Sequence, residues 1–203
     1  MKITVFGSNG RVGREVVKYA LDKGHEVVAY MRPNRYLDDE HPNLTCVQGE
    51  FNDFEQMKLA VSGSDAVVVT LGGFFQDSLV DAYRNVVKVT EEAGPKRFVC
   101  LMTPVIKADG DKFCWDIVFP RVVTKLYFSK GRKHVRMCGE FVRNSKLDWT
   151  VVRHLEPIDG PYTGDVKVGF HVKQKITRAN LASFMVDQAG STEYIHKMPI
   201  VGS

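Results

Sequence analysis

Short runs of apolar residues alternate with longer amphipathic stretches along the first two thirds of the chain. The apolar runs predict buried strands at residues 3–6, 26–30, 44–47, 66–70 and 98–102. The stretches between them repeat apolar positions with the helical period and predict helices at residues 11–22, 53–61 and 77–93. Continuous apolar strands separated by helices are typical of a parallel sheet that is covered on both faces. The pattern therefore predicts an α/β fold with a doubly wound parallel sheet, the Rossmann fold.

The last third of the chain is less regular. Its pattern predicts helices at residues 133–144 and 178–188 and strands at residues 149–152, 165–168 and 198–201. Residues 157–164 contain turn-forming glycines and a proline, which predict a loop. Because 203 residues suit one domain, we expect a single Rossmann domain over residues 1–203, with a small irregular substrate region on its C-terminal side.

Composition and charge narrow the classes of partner. The chain is 44% hydrophobic and 26% charged, with a net charge of +4, which is ordinary for a globular protein. The densest basic run, residues 130–136, is interpreted as the solvated face of a helix start rather than a nucleic-acid site. The apolar runs are too short for a membrane span or a signal peptide. We therefore expect a cytoplasmic protein that binds neither nucleic acid nor membrane.

Four cysteines bear on redox chemistry and metal binding. Cys46, Cys100, Cys114 and Cys138 include no Cys-x-x-Cys pair, and no metal-ligand cluster surrounds them, so no metal is predicted. Cys46 and Cys100 fall inside apolar strand runs, where we expect them to pack as small hydrophobic residues. This pattern fits reduced thiols in a cytoplasm.

The strongest local motif lies between the first predicted strand and the first helix. It consists of Gly7, Ser8, Asn9, Gly10, Arg11, Val12 and Gly13. A pyrophosphate needs backbone N–H donors at close range and the positive end of a helix dipole. Glycine removes the side chains that would block this approach. We assign the tight turn to Gly7, the close approach to Gly10 and the packing of helix on strand to Gly13.

The residues after the second strand predict which dinucleotide binds. An NAD site usually carries an acid there to bind the ribose hydroxyl groups, whereas this chain has Arg32, with Arg35 in the following loop. A guanidinium pairs with a 2′-phosphate, so NADP(H) is the predicted cofactor. The rest of the predicted cofactor site follows later strands and comprises Asp53, Phe54, Leu71, Gly72, Thr103, His154 and Leu155. Asp53 is equally well explained as a helix cap.

The usual acid/base pair of carbonyl reductases, Tyr-x-x-x-Lys, is not found at a suitable place. Tyr19 and Lys23 have the spacing but lie on the first helix, and Tyr127 and Lys130 are one residue too close together. Carbonyl reduction or epimerisation therefore lacks its usual proton donor.

Other side chains are candidates for contact with the substrate. Thr103 follows the fifth strand, where a hydroxyl can bind the nicotinamide carboxamide or a substrate oxygen. His134 and Glu156 are candidate proton carriers, as is His154; each is also explained by a surface or packing role. Five aromatic residues between the fifth strand and the next helix offer flat surfaces for a conjugated substrate, or for the core or a dimer contact: Phe113, Trp115, Phe119, Tyr127 and Phe128.

These motifs, in their order and spacing, resemble the atypical short-chain dehydrogenase/reductases of the NmrA-like group. Within that group the chain is most similar to the NADPH-dependent flavin and biliverdin reductases. The resemblance rests on residues 7–13, Arg32, Asp53, residues 71–73, 134–137, 144–150, 159–164 and 176–178. It implies hydride transfer from NADPH to a flat conjugated acceptor, with the proton supplied by solvent.

The resemblance leaves alternatives open. The first is a non-catalytic NADP(H)-binding redox sensor, because no convincing acid/base pair is present. The second, less favoured, is a conventional carbonyl reductase or epimerase. For the reductase we expect a small-molecule acceptor and a monomer or weak homodimer.

Overall fold

The architecture centres on one six-stranded parallel sheet. The computed structural model describes residues 1–38, 40–72, 77–111, 113–115, 118, 122, 128–173 and 175–203. The sheet strands are β1 (Lys2–Phe6), β2 (Glu26–Met31), β3 (Leu44–Gln48), β4 (Ala66–Val69), β5 (Arg97–Met102) and β6 (Asp148–Arg153). The helices are α1 (Arg11–Asp22), α2 (Phe54–Val61), α3 (Asp77–Ala93), α4 (Ser129–Arg143) and α5 (Arg178–Ala189).

The strand order is β3-β2-β1-β4-β5-β6, and every neighbouring pair is parallel. The chain builds outward from β1 in one direction and then returns to build outward from β4 in the other. The carboxyl ends of β1 and β4 thus form the point at which the order reverses. In open α/β sheets, ligands bind in the crevice at this point. The predicted doubly wound Rossmann fold is confirmed.

Strand residues alternate between two separate cores. Ile3 and Val5 pack with α1 and α5 on one face of the sheet, whereas Phe6 packs with α2, α3 and α4 on the other. Successive side chains of a strand point to opposite faces, so strands that are apolar throughout require helices on both. Both layers of helices therefore hold the carboxyl edge of the sheet, where the candidate site lies, in a fixed arrangement.

The elements of the first two thirds of the chain match their predicted spans to within one residue at each end. Helix α2 begins at Phe54, one residue late, because Asp53 is its N-cap. The later predictions need correction. Helix α4 begins at Ser129, four residues before the predicted start. Residues 157–164 are not all loop, because β7 (Glu156–Ile158) pairs in parallel with β9 (Lys175–Thr177). The last strand, β10 (Val201–Gly202), is short and pairs with β8 (Lys167–Val168), outside the main sheet.

One cysteine prediction is also wrong. Cys100 is fully buried in β5, but Cys46 is exposed. Its strand, β3, lies at the edge of the sheet and has no fully buried residue. The side chains of this strand are therefore more exposed to solvent than their apolar pattern predicts. No helix among the described residues is long and apolar enough to cross a membrane.

A buried ion pair fixes the loop that follows β5. The Arg153 guanidinium at the end of β6 donates to both carboxylate oxygens of Asp111, each at 2.8 Å. The two side chains are only 3% and 8% exposed. Arg153 also donates to the carbonyl oxygens of Met198 and Ile106. The loop is thereby tied to β6 and to the C-terminal segment.

Candidate functional site

The glycine motif forms the turn between β1 and α1. Gly7 has φ +81°, a left-handed conformation that favours glycine, and its carbonyl oxygen accepts a hydrogen bond from Gly10 N at 3.0 Å. A Cβ on Gly13 would overlap the carbonyl oxygen of Gly7, so α1 approaches the turn this closely only with glycine at that position. The packing predicted for Gly13 and the tight turn predicted for Gly7 are both observed.

The side chains between these glycines leave the mouth of the turn open. Ser8 is buried and donates to the carbonyl oxygen of Tyr30 at 3.1 Å, which ties the turn to β2. Asn9 is half-buried, Arg11 is exposed at the start of α1, and Val12 packs against the α1–α5 core. Gly10 and Arg11 leave the N-terminus of α1 exposed, and there the N–H groups of the first turn and the helix dipole favour an anion.

A first cavity of about 410 Å³ lies beside this turn. Arg32, at the end of β2, lines it together with Leu71 and Gly72, which follow β4. Asn85 of α3 also lines it and donates to the carbonyl oxygen of Phe51 at 2.8 Å, which holds the loop after β3 in place. The cavity therefore gathers residues from the ends of three strands, and its charged lining consists of Arg32 with the carboxylates Glu50 and Asp81.

Three predicted cofactor residues do not line this cavity. The Asp53 carboxylate accepts a hydrogen bond from Gln56 N at 3.1 Å, so the structure gives it the capping role. Phe54 packs against the core, with the Lys88 ammonium 5.1 Å from its ring centroid. Arg35 is exposed on the loop after β2.

A second cavity, of about 140 Å³, continues the first. Leu71 and Gly72 line both, so the two form one cleft along the carboxyl ends of the central strands. The remaining lining residues come from α3, β5, α4 and the residue after β6: Leu79, Tyr83, Leu101, Met102, Thr103, Val135, Cys138 and His154. The second cavity is thus mostly apolar and is assembled from five separate parts of the chain.

Two buried polar atoms in the second cavity have no hydrogen-bond partner within the described part of the chain. They are Oγ1 of Thr103 and Nδ1 of His154. A buried hydroxyl or ring nitrogen without a partner costs about 1–3 kcal/mol, so such atoms are rare unless a ligand completes them. One hydroxyl, which both donates and accepts, and one ring nitrogen match the complementary groups of a primary carboxamide.

The titratable groups that line the second cavity are electrically neutral at pH 7. Burial raises the pKa of Tyr83 well above its usual value, and its hydroxyl donates to the carbonyl oxygen of Leu101 at 3.0 Å. Burial likewise raises the pKa of the Cys138 thiol to about 12. Burial, with the Arg178 charge as a second cause, lowers the pKa of His154 to about 4. Within the described lining, no side chain is poised to release a proton near neutral pH.

The remaining catalytic candidates lie outside this cavity. His134 is buried within α4 but does not line the cavity. Glu156 is the exposed first residue of β7 and does not line the second cavity. Leu155 is half-buried next to His154 and does not contribute to the lining.

The aromatic group predicted to contact substrate is described only in part. Phe113 and Trp115 are 67% and 71% exposed and pack edge to face, with ring centroids 5.2 Å apart. Phe128 is also exposed, while Phe119 and Tyr127 lie outside the described residues, as does residue 73 of the turn after β4. Tyr19 lies two turns along α1 from the glycine turn and Lys23 is the C-cap of that helix, and neither lines the second cavity.

Sequence reasoning missed several lining residues. Leu79, Tyr83 and Asn85 come from α3, and Arg178, whose charge acts on His154, begins α5. The helical period of α3 identifies which of its residues face inward, but it does not tell a core position from a cavity wall. Arg178 is buried and paired with Asp159, a contact between distant parts of the chain that no local motif records.

The cleft fits a dinucleotide. Its open glycine turn at a helix N-terminus suits a pyrophosphate, and the unpaired atoms of Thr103 and His154 suit a carboxamide at the opposite end. Among the described residues, no group of three or more His, Cys, Asp or Glu side chains is arranged to hold a metal ion.

Comparisons with known proteins agree with this geometry. The model of the NAD(P)H-binding family matches residues 7–192. A bifunctional pinoresinol-lariciresinol reductase from Linum usitatissimum is 29% identical over 107 residues, which cover 48% of this chain and 34% of the relative. The match thus spans about a third of that relative's length.

Solved structures share the fold at low identity. A short-chain dehydrogenase/reductase from Veillonella parvula in complex with NADP has a TM-score of 0.79 and 16% identity, covering 100% of this chain and 94% of that chain. ChuY, an anaerobillin reductase from Escherichia coli O157:H7, has a TM-score of 0.75 and 19% identity, covering 100% of this chain and 97% of that chain. Because the family model covers most of its length, this chain belongs to the NAD(P)H-binding family.

Proposed function

We propose that the protein is an NADPH-dependent reductase that transfers a hydride to a flat conjugated acceptor such as a flavin or an open tetrapyrrole of the biliverdin type. The observation that carries this proposal is the second cavity. It is apolar, it holds two unpaired polar atoms, and none of the titratable groups in its described lining releases a proton near pH 7.

Each part of the cleft has a role in this proposal. The N–H groups of the glycine turn and the start of α1 bind the pyrophosphate. Arg32 pairs with the 2′-phosphate, which selects NADPH over NADH. Thr103 and His154 hydrogen-bond the carboxamide and so fix which face of the nicotinamide meets the acceptor. Bound NADPH supplies the hydride.

No side chain in the described lining of the second cavity releases a proton near pH 7, and this favours one class of acceptor. Reduction of an isolated ketone puts charge on an alkoxide, which needs a nearby acid. A conjugated flavin takes a hydride and spreads the added charge over its ring system, after which water supplies the proton. A cavity lined by Leu, Met and Val side chains also suits a flat apolar ring.

The relatives lend support at the level of chemistry. One structural neighbour was solved with NADP and another is named an anaerobillin reductase, so this fold accommodates both the cofactor and a pigment-like acceptor. A relative in sequence is also named a reductase, which supports reduction as the type of reaction.

The test is steady-state oxidation of NADPH with FMN as acceptor, with NADH as the comparison. We expect saturable turnover with FMN and a much higher KM for NADH. Thr103→Val should raise the KM for NADPH by about tenfold, since one buried hydrogen bond is worth about 1 kcal/mol or more, whereas Thr103→Ser retains the hydroxyl and should stay near wild type. Tight NADPH binding without turnover on FMN, riboflavin or biliverdin would contradict the reductase and favour a redox sensor.

A further inference from the structure

A third cavity, of about 270 Å³, lies between the loop after β5 and the outer side of α4. We call it the basic cavity. Its charged lining consists of four cations, Lys107, Arg132, Arg136 and Arg143, and one carboxylate, Glu140. Neither the dinucleotide cleft nor the proposed hydride transfer uses these residues. The basic cavity therefore has a positive potential that the rest of the site does not explain.

The helix itself arranges these charges. Positions 132, 136, 140 and 143 are spaced by four, four and three residues, so they form one stripe along α4. Glu140 follows Arg136 by four residues, the less favourable order for a helical ion pair, and no ion pair between them occurs in the described chain. The guanidinium of Arg136 therefore keeps its donors for another anion.

Arg143 is only partly neutralised. It pairs with Asp109 at 3.2 Å, but the Asp109 side chain is 97% exposed, so water screens the attraction strongly. Lys107, at the opposite side of the basic cavity, has no ion-pair partner among the described residues. A ligand with one anionic group would meet donors from both the loop and the helix.

The basic cavity adjoins the second cavity. Thr103 lines the second cavity and Ile106 lines the basic cavity, and Ile106 N donates to the carbonyl oxygen of Thr103 at 3.3 Å across the turn that joins them. Three residues of chain span at most about 11 Å. On the helix side, Val135 lines one cavity and Arg136 the other. The two cavities are thus lined by neighbouring residues of α4 and by loop residues three positions apart.

The position of this wall is fixed. A Cβ on Gly139 would overlap the side chain of Ile106, so α4 and the loop pack in direct contact there. The buried pair of Arg153 with Asp111 holds the far end of the same loop. The basic cavity is therefore a permanent neighbour of the place where the acceptor ring is proposed to lie.

We propose that the basic cavity binds the anionic group, a phosphate or a carboxylate, of the acceptor whose ring system lies against the nicotinamide beside the second cavity. This inference rests on the proposed function for the position of the ring. Guanidinium groups pair with both anions through two parallel N–H bonds, so the chemistry is shared. It predicts that the preferred acceptors are flat molecules with an anionic substituent on a chain of a few bonds.

Riboflavin and FMN test the phosphate, because they share the isoalloxazine ring and differ in the terminal phosphate. At saturating NADPH, Arg136→Ala should raise the KM for FMN about 5- to 10-fold and leave the KM for riboflavin unchanged. Glu140→Gln should lower the KM for FMN about twofold, because it removes the one carboxylate of the lining. Lys133→Ala, an exposed position of α4 outside the basic cavity, is the matched control.

Biliverdin and its dimethyl ester test the carboxylate in the same way, because esterification removes both charges and keeps the ring system. A KM that rises in Arg136→Ala for the charged acceptor, and not for its neutral counterpart, supports the proposal for that anion. Equal changes for charged and neutral acceptors, or no change in Arg136→Ala, would overturn the basic cavity as an acceptor site while leaving the reductase intact.

A binding measurement separates this inference from the proposed function. If the wild-type protein reduces no flavin, FMN and riboflavin fluorescence is titrated with protein saturated with NADP⁺, which keeps FMN from the dinucleotide cleft. Tighter binding of FMN than of riboflavin, lost in Arg136→Ala and kept in Lys133→Ala, supports the basic cavity. Equal binding of both flavins, or binding of neither, overturns it.

Discussion

The glycine turn after β1 and the second cavity at the end of β5 differ in how far apart their residues lie in the chain. The turn is made by seven consecutive residues, and its contacts are backbone to backbone. The second cavity brings together α3, β5, α4 and His154, which are separated by tens of residues. A local motif keeps its shape when one strand and one helix form, whereas an assembled cavity depends on every element that packs around it.

The largest expected effect tests whether the part of the molecule around the second cavity depends on the buried ion pair of Arg153 with Asp111. Asp111→Asn leaves the buried Arg153 charge without its carboxylate, which should lower the free energy of unfolding by about 3–5 kcal/mol. Urea denaturation gives this value. Asp109→Asn, which breaks the exposed pair with Arg143, should change it by less than about 1 kcal/mol. An equal decrease in the free energy of unfolding in the two variants would show that the buried pair does not stabilise this part of the molecule.

The second effect uses pH to examine the neutral histidine of the second cavity. His154 has a pKa of about 4 in the folded protein, below its usual value of 6.5, so the unfolded chain takes up a proton first as pH falls. Above about pH 6.5 His154 is neutral in both states, so its titration does not change the free energy of unfolding. Between pH 6.5 and pH 4 the unfolded chain binds the proton and the folded protein does not, which should lower the free energy of unfolding by up to about 3 kcal/mol.

The free energy of unfolding of wild type and His154→Gln, measured by urea denaturation at pH 7.5, 5.5 and 4.5, checks this. The wild-type protein should lose more stability than the variant over that interval. An identical pH dependence in both proteins would mean that His154 titrates normally in the fold.

The third effect concerns the glycine turn between β1 and α1. Gly13→Ala places a Cβ against the carbonyl oxygen of Gly7, which should destabilise the protein by about 1–3 kcal/mol and weaken NADPH binding. Thermal denaturation and an NADPH titration measure the two changes. Gly72→Ala is the matched control, because its Cβ would meet no atom of the described residues within 4 Å and its melting temperature should match wild type. A Gly13→Ala protein with unchanged melting would show that the turn has room to relax.

The smallest effect concerns the first cavity, where an exposed side chain gives specificity. Arg32→Ala should weaken NADPH binding about tenfold, because water screens an exposed guanidinium, and should leave NADH binding nearly unchanged. Arg35→Ala, outside the lining, should change neither. Fluorescence titration with both cofactors measures the effect, and equal losses for NADPH and NADH in Arg32→Ala would remove Arg32 from the 2′-phosphate.

The difference between the glycine turn and the second cavity also explains which predictions from the sequence were confirmed. The tight turn at Gly7 and the close packing at Gly13 belong to one short motif after β1, and both are observed. Arg32 follows β2 and lines the first cavity, and its pairing with a 2′-phosphate stays a prediction. The loop predicted over residues 157–164 is partly wrong because β7 pairs with β9, a contact between separate segments that no local pattern records. Cys46 failed because a strand's apolar pattern does not tell whether the strand is central or at an edge.

The sequence by itself determined the order of strands and helices, the doubly wound class of the sheet and the position of the phosphate-binding turn. Each of these depends on periodicity or on a motif within a few residues, which is the range over which backbone geometry acts. Only the tertiary structure decided that Thr103 and His154 carry unpaired atoms in one cavity, that Tyr83 and Cys138 keep their protons there, and that the cations of α4 face the loop after β5. Burial and charge depend on which distant side chains pack together, and that packing is settled only when the chain folds.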